Sequence, residues 1–304
     1  MFLLSLVLWL GTAAPGVAVE YIDDQGLAAS LASSVRALKE AGRLRTSRVL
    51  LRTIRSGKPI IPLGVPATGP RSAPTLYQNV QETVLVHCRL CHCSSPGAGQ
   101  VCFSTAFAIA PDVVVVNHHA VDEDKEQFHA IADHTGAAFP VREILAVDRD
   151  NDIAIVHVEG ANFRPLALVP DEPVGSQILV LSHPDEHFYV LTQGVIARYC
   201  RCRCPKQGGR EWVGMSITAD FARGSSGAPI LNLDGKVVGM VASTLSLYYE
   251  EEDGHQKNLQ MVLKNCVPAR AILDLIRASH GGVRKRLEPA FDRVPRGAPT
   301  PPHP

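Results

Sequence analysis

A series of short apolar runs, separated by turn signals, occupies the chain between Thr83 and Leu263. Turn signals such as residues 134–136 (His-Thr-Gly) and 234–235 (Asp-Gly) separate the runs, and no helical pattern lies between them. Many short strands without intervening helices favour an all-β fold, either two antiparallel barrels or a sandwich. The predicted strands are residues 83–87, 103–110, 113–117, 143–147, 152–158, 177–182, 189–197, 213–218, 229–231, 236–243 and 259–263.

Helical patterns are found on both sides of this β-rich stretch. Leu27, Leu31, Val35 and Leu38 recur at helical spacing, and Gly42 supplies a stop signal. We expect this amphipathic helix to pack against the body of the protein, with a pro-segment or an adaptor as the alternatives. Pro, Gly and Ser enrich residues 56–74 and predict a linker, whereas residues 268–278 predict a C-terminal helix.

The amino terminus has the pattern of an export signal. Residues 2–10 are apolar, and small residues follow up to Ala18. This arrangement predicts a signal peptide, and the run is short for a transmembrane helix. We therefore expect a secreted or periplasmic protein with no stable membrane insertion after the signal is removed. The net charge of +0 gives no electrostatic reason to expect a nucleic-acid partner.

One serine lies in a glycine-rich turn, at residues 224–229 (Gly-Ser-Ser-Gly-Ala-Pro). A serine hydroxyl is a poor nucleophile unless a nearby base accepts its proton and a third group orients that base. His119 follows one apolar run, Asp152 begins another, and the order His, Asp, Ser is one of those known for such triads. Each signal alone also fits a core histidine, a cap or a flexible turn. Together they predict nucleophilic catalysis by Ser226.

Three segments together resemble the chymotrypsin-fold serine proteases, in particular the compact bacterial trypsin-like type related to the HtrA proteases. Residues 104–121 resemble the block that carries the catalytic histidine, residues 152–156 the aspartate strand, and residues 220–229 the nucleophile loop. The resemblance implies two antiparallel six-stranded Greek-key barrels with a C-terminal helix, here preceded by an N-terminal helical extension. It places the base at His119 rather than His118, and too few residues follow the match for a PDZ domain.

The resemblance also assigns roles around the nucleophile. His119 would accept the proton of Ser226, and Asp152 would orient the imidazole. The backbone N–H groups of Gly224 and Ser226 would form the oxyanion hole. Ser225 stands where digestive trypsins carry the aspartate that captures a new amino terminus, so we expect no activation of that kind.

Substrate preference has two interpretations. Asp220 lies at the offset of the aspartate at the base of the trypsin pocket, which favours Arg or Lys. Ala242, Ser243 and Thr244 match the strand that pairs with the substrate backbone, and Thr244 would narrow the pocket in favour of small residues. The sequence does not separate these preferences.

Eight cysteines are present, and six of them form two triplets. An even count behind an export signal favours disulfides between the triplets. Structural zinc is the alternative, because four thiolates, or three with a neighbouring histidine, satisfy its tetrahedral geometry. The candidates for either role are Cys88, Cys91, Cys93, Cys200, Cys202 and Cys204.

These observations divide the chain into four predicted parts. They are a signal peptide at 1–18, an N-terminal helical segment and linker at 19–74, a trypsin-like domain at 75–280, and a disordered basic and Pro-rich tail at 281–304.

The expected function is a serine endopeptidase that forms an acyl-enzyme intermediate on protein or peptide substrates and needs no cofactor for catalysis. One alternative is a catalytically silent protease-fold binding module, although all three triad residues are present. The other is an esterase that uses the same serine. Ala228 argues against it, because it occupies the last glycine position of a nucleophile elbow.

Overall fold

Strands dominate the computed structural model, which describes residues 21–52, 54, 61, 77, 80–91, 100–122, 127–204, 210–252 and 255–280. Within these residues, twelve strands form two antiparallel sheets, and each sheet of six closes into a barrel. The first barrel contains β1 (Val84–Cys91), β2 (Val101–Ala110), β3 (Val113–Asn117), β4 (Gln127–Ala132), β5 (Ala138–Asp148) and β6 (Ile153–Val158).

The second barrel repeats the strand order of the first. Its strands are β7 (Gln177–Ser182), β8 (Val190–Cys204), β9 (Arg210–Ile217), β10 (Pro229–Leu231), β11 (Val237–Glu252) and β12 (His255–Pro268). The spatial order is β1-β2-β3-β6-β5-β4 in the first barrel and β7-β8-β9-β12-β11-β10 in the second. The first closes where β4 pairs with β1, and the second where β10 pairs with β7. The predicted pair of six-stranded antiparallel barrels is confirmed.

Several strand predictions differ from the structure: one strand was missed, and β5, β8, β11 and β12 are all longer than predicted. The strand β4 was missed because polar Gln127 and His129 interrupt its apolar run, yet both are buried. The hairpin of β11 and β12 extends well past the predicted strands, to Glu252 and from His255. Its outer part leaves the barrel, so that no buried face imposes an apolar alternation there, and Tyr249 and Met261 are exposed.

Three helices of the described chain flank the barrels: α1 (Asp24–Glu40), α2 (Ser47–Arg52) and α3 (Ala269–His280). Helix α1 matches the predicted periodicity, and it ends before Gly42, whose φ of +67° suits glycine. Helices α1 and α3 were expected, whereas α2 was not, because six residues are too few to show a period. None of these helices is long and apolar enough to cross a membrane.

One buried cluster joins the helices to both barrels. It includes Leu31 and Val35 of α1, Phe107 of the first barrel, Met240 of the second and Ile272 of α3. The expected packing of α1 against the body is therefore observed. The predicted signal peptide, nearly all of the linker and the C-terminal tail lie outside the described residues.

Candidate active site

His119 follows the end of β3 and Asp152 precedes the start of β6, and these two strands are neighbours in the first barrel. Strand β3 pairs with β6, and Asn117 lies opposite Ile153. The 3₁₀ turn that follows β3 therefore lies against the residue that precedes β6. His119 Nδ1 lies 2.7 Å from Asp152 Oδ2, and the His119 backbone N–H donates to Oδ1 at 2.8 Å. Both carboxylate oxygens thus fix the position of one histidine.

Asp152 is held in an uncommon backbone conformation. Its φ is +55°, in the left-handed region that aspartate tolerates better than most residues. Asn117 Nδ2 donates to Oδ2 at 3.0 Å and to the Asp152 carbonyl at 3.2 Å, and the His118 N–H donates to the same carbonyl at 3.1 Å. Strain of this kind persists where surrounding contacts over-determine it, and it is concentrated at functional sites.

The two adjacent histidines occupy different environments. The side chain of His119 is 50% exposed, whereas His118 is buried. His118 Nε2 has no hydrogen-bond partner among the described residues, and burial lowers the pKa of its imidazole. His119, which is more exposed and contacts Asp152, thus differs from His118, and its role as the base stays a prediction.

Ser226 lies in a tight loop of the second barrel, and this loop contacts β2 of the first barrel. Gly224 and Gly227 have φ values of +93° and +89°, and a Cβ on Gly227 would collide with the Thr105 carbonyl. The Thr105 N–H donates to the Ser226 carbonyl at 3.0 Å, and the Ser226 hydroxyl donates to the Ala242 carbonyl at 3.3 Å. Glycine is therefore required for the close approach of this loop to β2.

Ala242 and Ser243 of β11 border both Ser226 and the aspartate of the histidine–aspartate pair. One cavity of about 190 Å³ is lined by Ser226 together with Ala242 and Ser243. A second cavity of about 230 Å³ is lined by Asp152 together with the same two residues. Ser226 and Asp152 therefore border one short segment of β11 from two sides.

The loop also orients a backbone donor next to Ser226. The Arg223 carbonyl accepts a hydrogen bond of 2.6 Å from the Asp185 N–H. Because C=O and N–H point in opposite directions across a trans peptide, this bond turns the Gly224 N–H away from Asp185. Thr105 Oγ1 donates to the Gly224 carbonyl at 2.9 Å and fixes the next peptide. Preorganised N–H groups of this kind stabilise a developing oxyanion.

Ser225 has a buried partner that sequence analysis did not identify. Its hydroxyl lies 2.9 Å from that of Ser182 at the end of β7, and both residues are buried. A contact between two neutral hydroxyls therefore stabilises the buried side of this loop, at the position where digestive trypsins have an ion pair. No sequence pattern marks Ser182 or Thr105, since their contacts depend on how strands far apart in the chain come together.

Among the predicted substrate-contacting residues, Asp220 is placed apart from the others. Ala242, Ser243 and Thr244 line the cavity beside Ser226, whereas Asp220 does not. The Asp220 side chain is 86% exposed and its Oδ1 lies 3.1 Å from Lys264 Nζ. Asp220 therefore does not line this cavity, and its carboxylate pairs with Lys264.

The cysteines that the structure describes do not form the predicted link between triplets. Cys88 and Cys266 are free and buried, and burial raises the pKa of both thiols. Cys91 Sγ lies 3.5 Å from Cys102 Sγ, across β1 and β2 of the first barrel. Cys93 and the side chains of Cys202 and Cys204 lie outside the described residues. In the described part, no three His, Cys, Asp or Glu side chains are grouped to hold a metal.

Comparisons with known proteins show similarity to serine proteases. Residues 104–240 match the sequence model of the trypsin-like peptidase domain. The chain is 26% identical over 191 residues to the serine protease Rv3671c of Mycobacterium tuberculosis, covering 61% of this chain and 46% of that protein. It is 25% identical over 153 residues to a Chlamydia pneumoniae protein described as "Probable periplasmic serine endoprotease DegP-like", covering 50% and 30% of the two chains.

The chain spans less than half the length of these two curated relatives. Among solved structures, the active form of the Rv3671c protease superimposes with a TM-score of 0.52 at 22% identity. That match covers 73% of this chain and 91% of the solved chain, and it supports the two-barrel fold.

Proposed function

We propose that the trypsin-like peptidase domain of this chain is a serine endopeptidase that uses Ser226, His119 and Asp152. The observation that carries the proposal is the double attachment of Asp152 to His119, through the ring Nδ1 and the backbone N–H. That attachment leaves the ring Nε2 to act as a base, which is the arrangement a serine nucleophile requires.

The proposed reaction begins when the Ser226 hydroxyl turns from the Ala242 carbonyl towards His119. Its oxygen attacks the substrate carbonyl while His119 Nε2 accepts the proton, and Asp152 stabilises the imidazolium. The N–H groups of Gly224 and Ser226 face the negative charge that develops on the substrate oxygen. His119 then protonates the leaving amine. In the second half of the reaction His119 accepts a proton from water, the water oxygen attacks the acyl carbonyl, and His119 returns the proton to the departing Ser226 oxygen. In this scheme no cofactor takes part in catalysis.

The cavity beside Ser226 favours small or medium apolar side chains at the residue before the cut. Its walls include Phe221, Ala222, Val241 and Ala242. Lys264 Nζ donates to the Phe221 carbonyl at 3.3 Å and lies 5.3 Å from the centre of that ring. A fixed cation beside the wall disfavours a basic substrate side chain, and the carboxylate of Asp220 is already paired with Lys264.

We also propose that the enzyme works outside the cytoplasm, as a secreted or periplasmic protein that acts on protein or peptide substrates. Support comes from the pattern of residues 1–18 and from the periplasmic description of the Chlamydia pneumoniae relative. N-terminal sequencing of the exported protein is expected to show a new terminus near residue 18. An intact Met1 on protein recovered from the cytoplasm would contradict the location.

The proposed activity is tested with a fluorophosphonate probe, which reacts with activated serines. Wild-type protein is expected to be labelled on the peptide that contains Ser226, and Ser226→Ala is expected to remain unlabelled. Cleavage of a folded-protein substrate then separates an endopeptidase from an esterase. Wild-type protein that takes no label would instead support a silent binding module.

A further inference from the structure

The segment that joins β7 to β8 has an unusual backbone. Asp185, Glu186 and Tyr189 all have positive φ, at +48°, +65° and +59°. Each of these left-handed conformations is unfavourable for a residue with a side chain, so the segment depends on outside contacts to keep its shape. We call residues 183–189 the support loop.

The support loop contacts the nucleophile loop directly. The Asp185 N–H donates to the Arg223 carbonyl at 2.6 Å and thereby sets the direction of the Gly224 N–H. A Cβ on Gly224 would collide with the His183 carbonyl, which shows how closely the two loops approach. The His183 N–H also donates to Thr105 Oγ1 at 3.1 Å, and that hydroxyl in turn donates to the Gly224 carbonyl.

Contacts within the loop and with Phe103 of β2 fix the far end of the support loop. The Tyr189 N–H donates to His183 Nδ1 at 3.1 Å, and burial lowers the pKa of His183 to about 3, which keeps this nitrogen free to accept. The Phe188 ring lies 5.5 Å from the His183 ring and 5.6 Å from the Phe103 ring. These contacts leave the Phe188 N–H to be satisfied by another element.

That element is the N-terminal helix. The Phe188 N–H donates to Asp24 Oδ1 at 2.8 Å, in a contact between residues 164 positions apart in the chain. Leu31 and Val35 of the same helix are fully buried, so the helix presents Asp24 from a fixed position. A hydrogen bond to a carboxylate is stronger than one between neutral groups.

We propose that Asp24 is a positioning residue for catalysis, and that α1 is thereby an intramolecular activator of the protease. This inference rests on the proposed function. Asp24 holds Phe188, the support loop then keeps Asp185 against the Arg223 carbonyl, and that contact keeps the Gly224 N–H turned towards the substrate oxygen. The helix thus stabilises the active conformation of the nucleophile loop, as a buried ion pair at the amino terminus does in digestive trypsins.

The test compares two neighbouring carboxylates of the same helix. Asp24→Ala removes the acceptor of the Phe188 N–H. Asp23→Ala is the matched control, because Asp23 caps the helix through Gly26 at 2.9 Å and makes no hydrogen bond to the support loop. Asp24→Asn is the conservative variant, since its amide oxygen can accept the same bond. The readouts are the rate of fluorophosphonate labelling, kcat and KM separately, and the melting temperature.

We expect Asp24→Ala to lower kcat and the labelling rate about tenfold with little change in KM, a fraction of the roughly 10²–10³-fold cost of losing an oxyanion donor outright. Asp24→Asn is expected to recover most of the rate. Asp23→Ala is expected to lower the melting temperature at least as much as Asp24→Ala while labelling at the wild-type rate.

Labelling of Asp24→Ala at the wild-type rate would overturn the inference, and so would an equal loss in Asp23→Ala. Neither result would affect the proposed function, which the labelling of wild-type protein decides by itself. Wild-type protein that takes no label would overturn both. If Asp24→Ala is not recovered folded, Asp24→Ser decides in its place, since its shorter side chain does not reach Phe188.

Discussion

The hydroxyl oxygens of Ser182 and Ser225 lie 2.9 Å apart, and both residues are buried. In the proposed enzyme this pair takes the place of the ion pair of digestive trypsins next to the serine nucleophile, and neither hydroxyl requires an amino terminus made by cleavage. We therefore expect the loop around Ser226 to be competent for catalysis in the uncut chain.

Removal of the Ser182 hydroxyl is expected to destabilise the protein and slow its reaction. Ser182→Ala leaves the Ser225 hydroxyl without its buried partner, which typically costs about 1–3 kcal/mol. We expect a lower denaturant midpoint and slower fluorophosphonate labelling. Ser34→Ala is the control, since Ser34 makes a partly buried bond at the surface of α1. Acetylation of the amino terminus is expected to leave the labelling rate unchanged, and a loss of labelling would restore a trypsinogen-like mechanism.

Alanine variants of the adjacent histidines are expected to differ: one should lose turnover, and the other should lose stability. His119→Ala removes the base and should reduce turnover by several orders of magnitude, since members of a triad act as a unit. His118→Ala leaves a cavity in a buried position and should mainly lower the free energy of unfolding, by about 1–3 kcal/mol. Labelling and thermal unfolding of both variants check the assignment. Equal losses of labelling would leave the choice of His119 unsupported.

Acid is expected to destabilise the fold through a buried pair of histidines in the first barrel. His129 Nδ1 lies 3.1 Å from His87 Nε2, and His129 Nε2 lies 2.8 Å from Ser47 Oγ of α2. Burial, with a smaller effect of Arg89, lowers the pKa of His129 to about 3 from its ordinary 6.5, and burial lowers the pKa of His87 as well. Both rings are therefore neutral in the folded protein at pH 7.

Between pH 6.5 and 3 the unfolded chain protonates His129 while the folded protein does not, so stability is complete above pH 6.5 and falls as the pH falls. The slope is up to about 1.4 kcal/mol per pH unit for each such histidine. In denaturant titrations between pH 7 and 5, the free energy of unfolding of His129→Gln should fall less steeply with decreasing pH than that of the wild type, because one fewer proton is taken up on unfolding. An unchanged slope in His129→Gln would contradict the assignment.

Asp220 is expected to contribute little to the choice of substrate. If it bound a basic side chain, Asp220→Asn would cost about 2–5 kcal/mol of transition-state binding for Arg or Lys substrates alone. We instead expect the ratio of kcat/KM for peptides with Arg and with Val before the cut to change by less than about threefold, because Lys264 already pairs with Asp220. A large selective loss of Arg cleavage would restore the trypsin-like interpretation.

Oxidation is expected to join Cys91 to Cys102 first. Their sulfur atoms are 3.5 Å apart, whereas Cys88 and Cys266 are buried with raised pKa values and so carry little reactive thiolate. Mass spectrometry of unreduced, alkylated protein should show a Cys91–Cys102 crosslink and free Cys88 and Cys266. A crosslink between the triplets would support the original disulfide prediction. Near-stoichiometric zinc, lost with a chelator, would support the metal site.

The sequence predicted most strands and the triad candidates because both have local signatures, whereas the arrangement of the strands in two barrels followed from the resemblance to chymotrypsin-fold proteases. Apolar runs between turns marked most strands, and Ser226 stood out through its flanking glycines. The direction of the Asp220 side chain was not predictable, since its partner Lys264 lies on another strand and the motif shows only an offset. The contact between Asp24 and Phe188 likewise joins a helix to a loop with no shared pattern, and only the three-dimensional fold reveals it.

The buried cluster that contains Leu31 and Val35 draws side chains from α1, both barrels and α3. The helix is therefore bound to the rest of the protein through its own apolar face. The covalent link between them mainly raises the effective concentration of the helix at its binding surface. A cut between α2 and β1 would turn the helix into a separable ligand held by this face. Dilution would then release it, and the two fragments would be expected to recombine at high concentration.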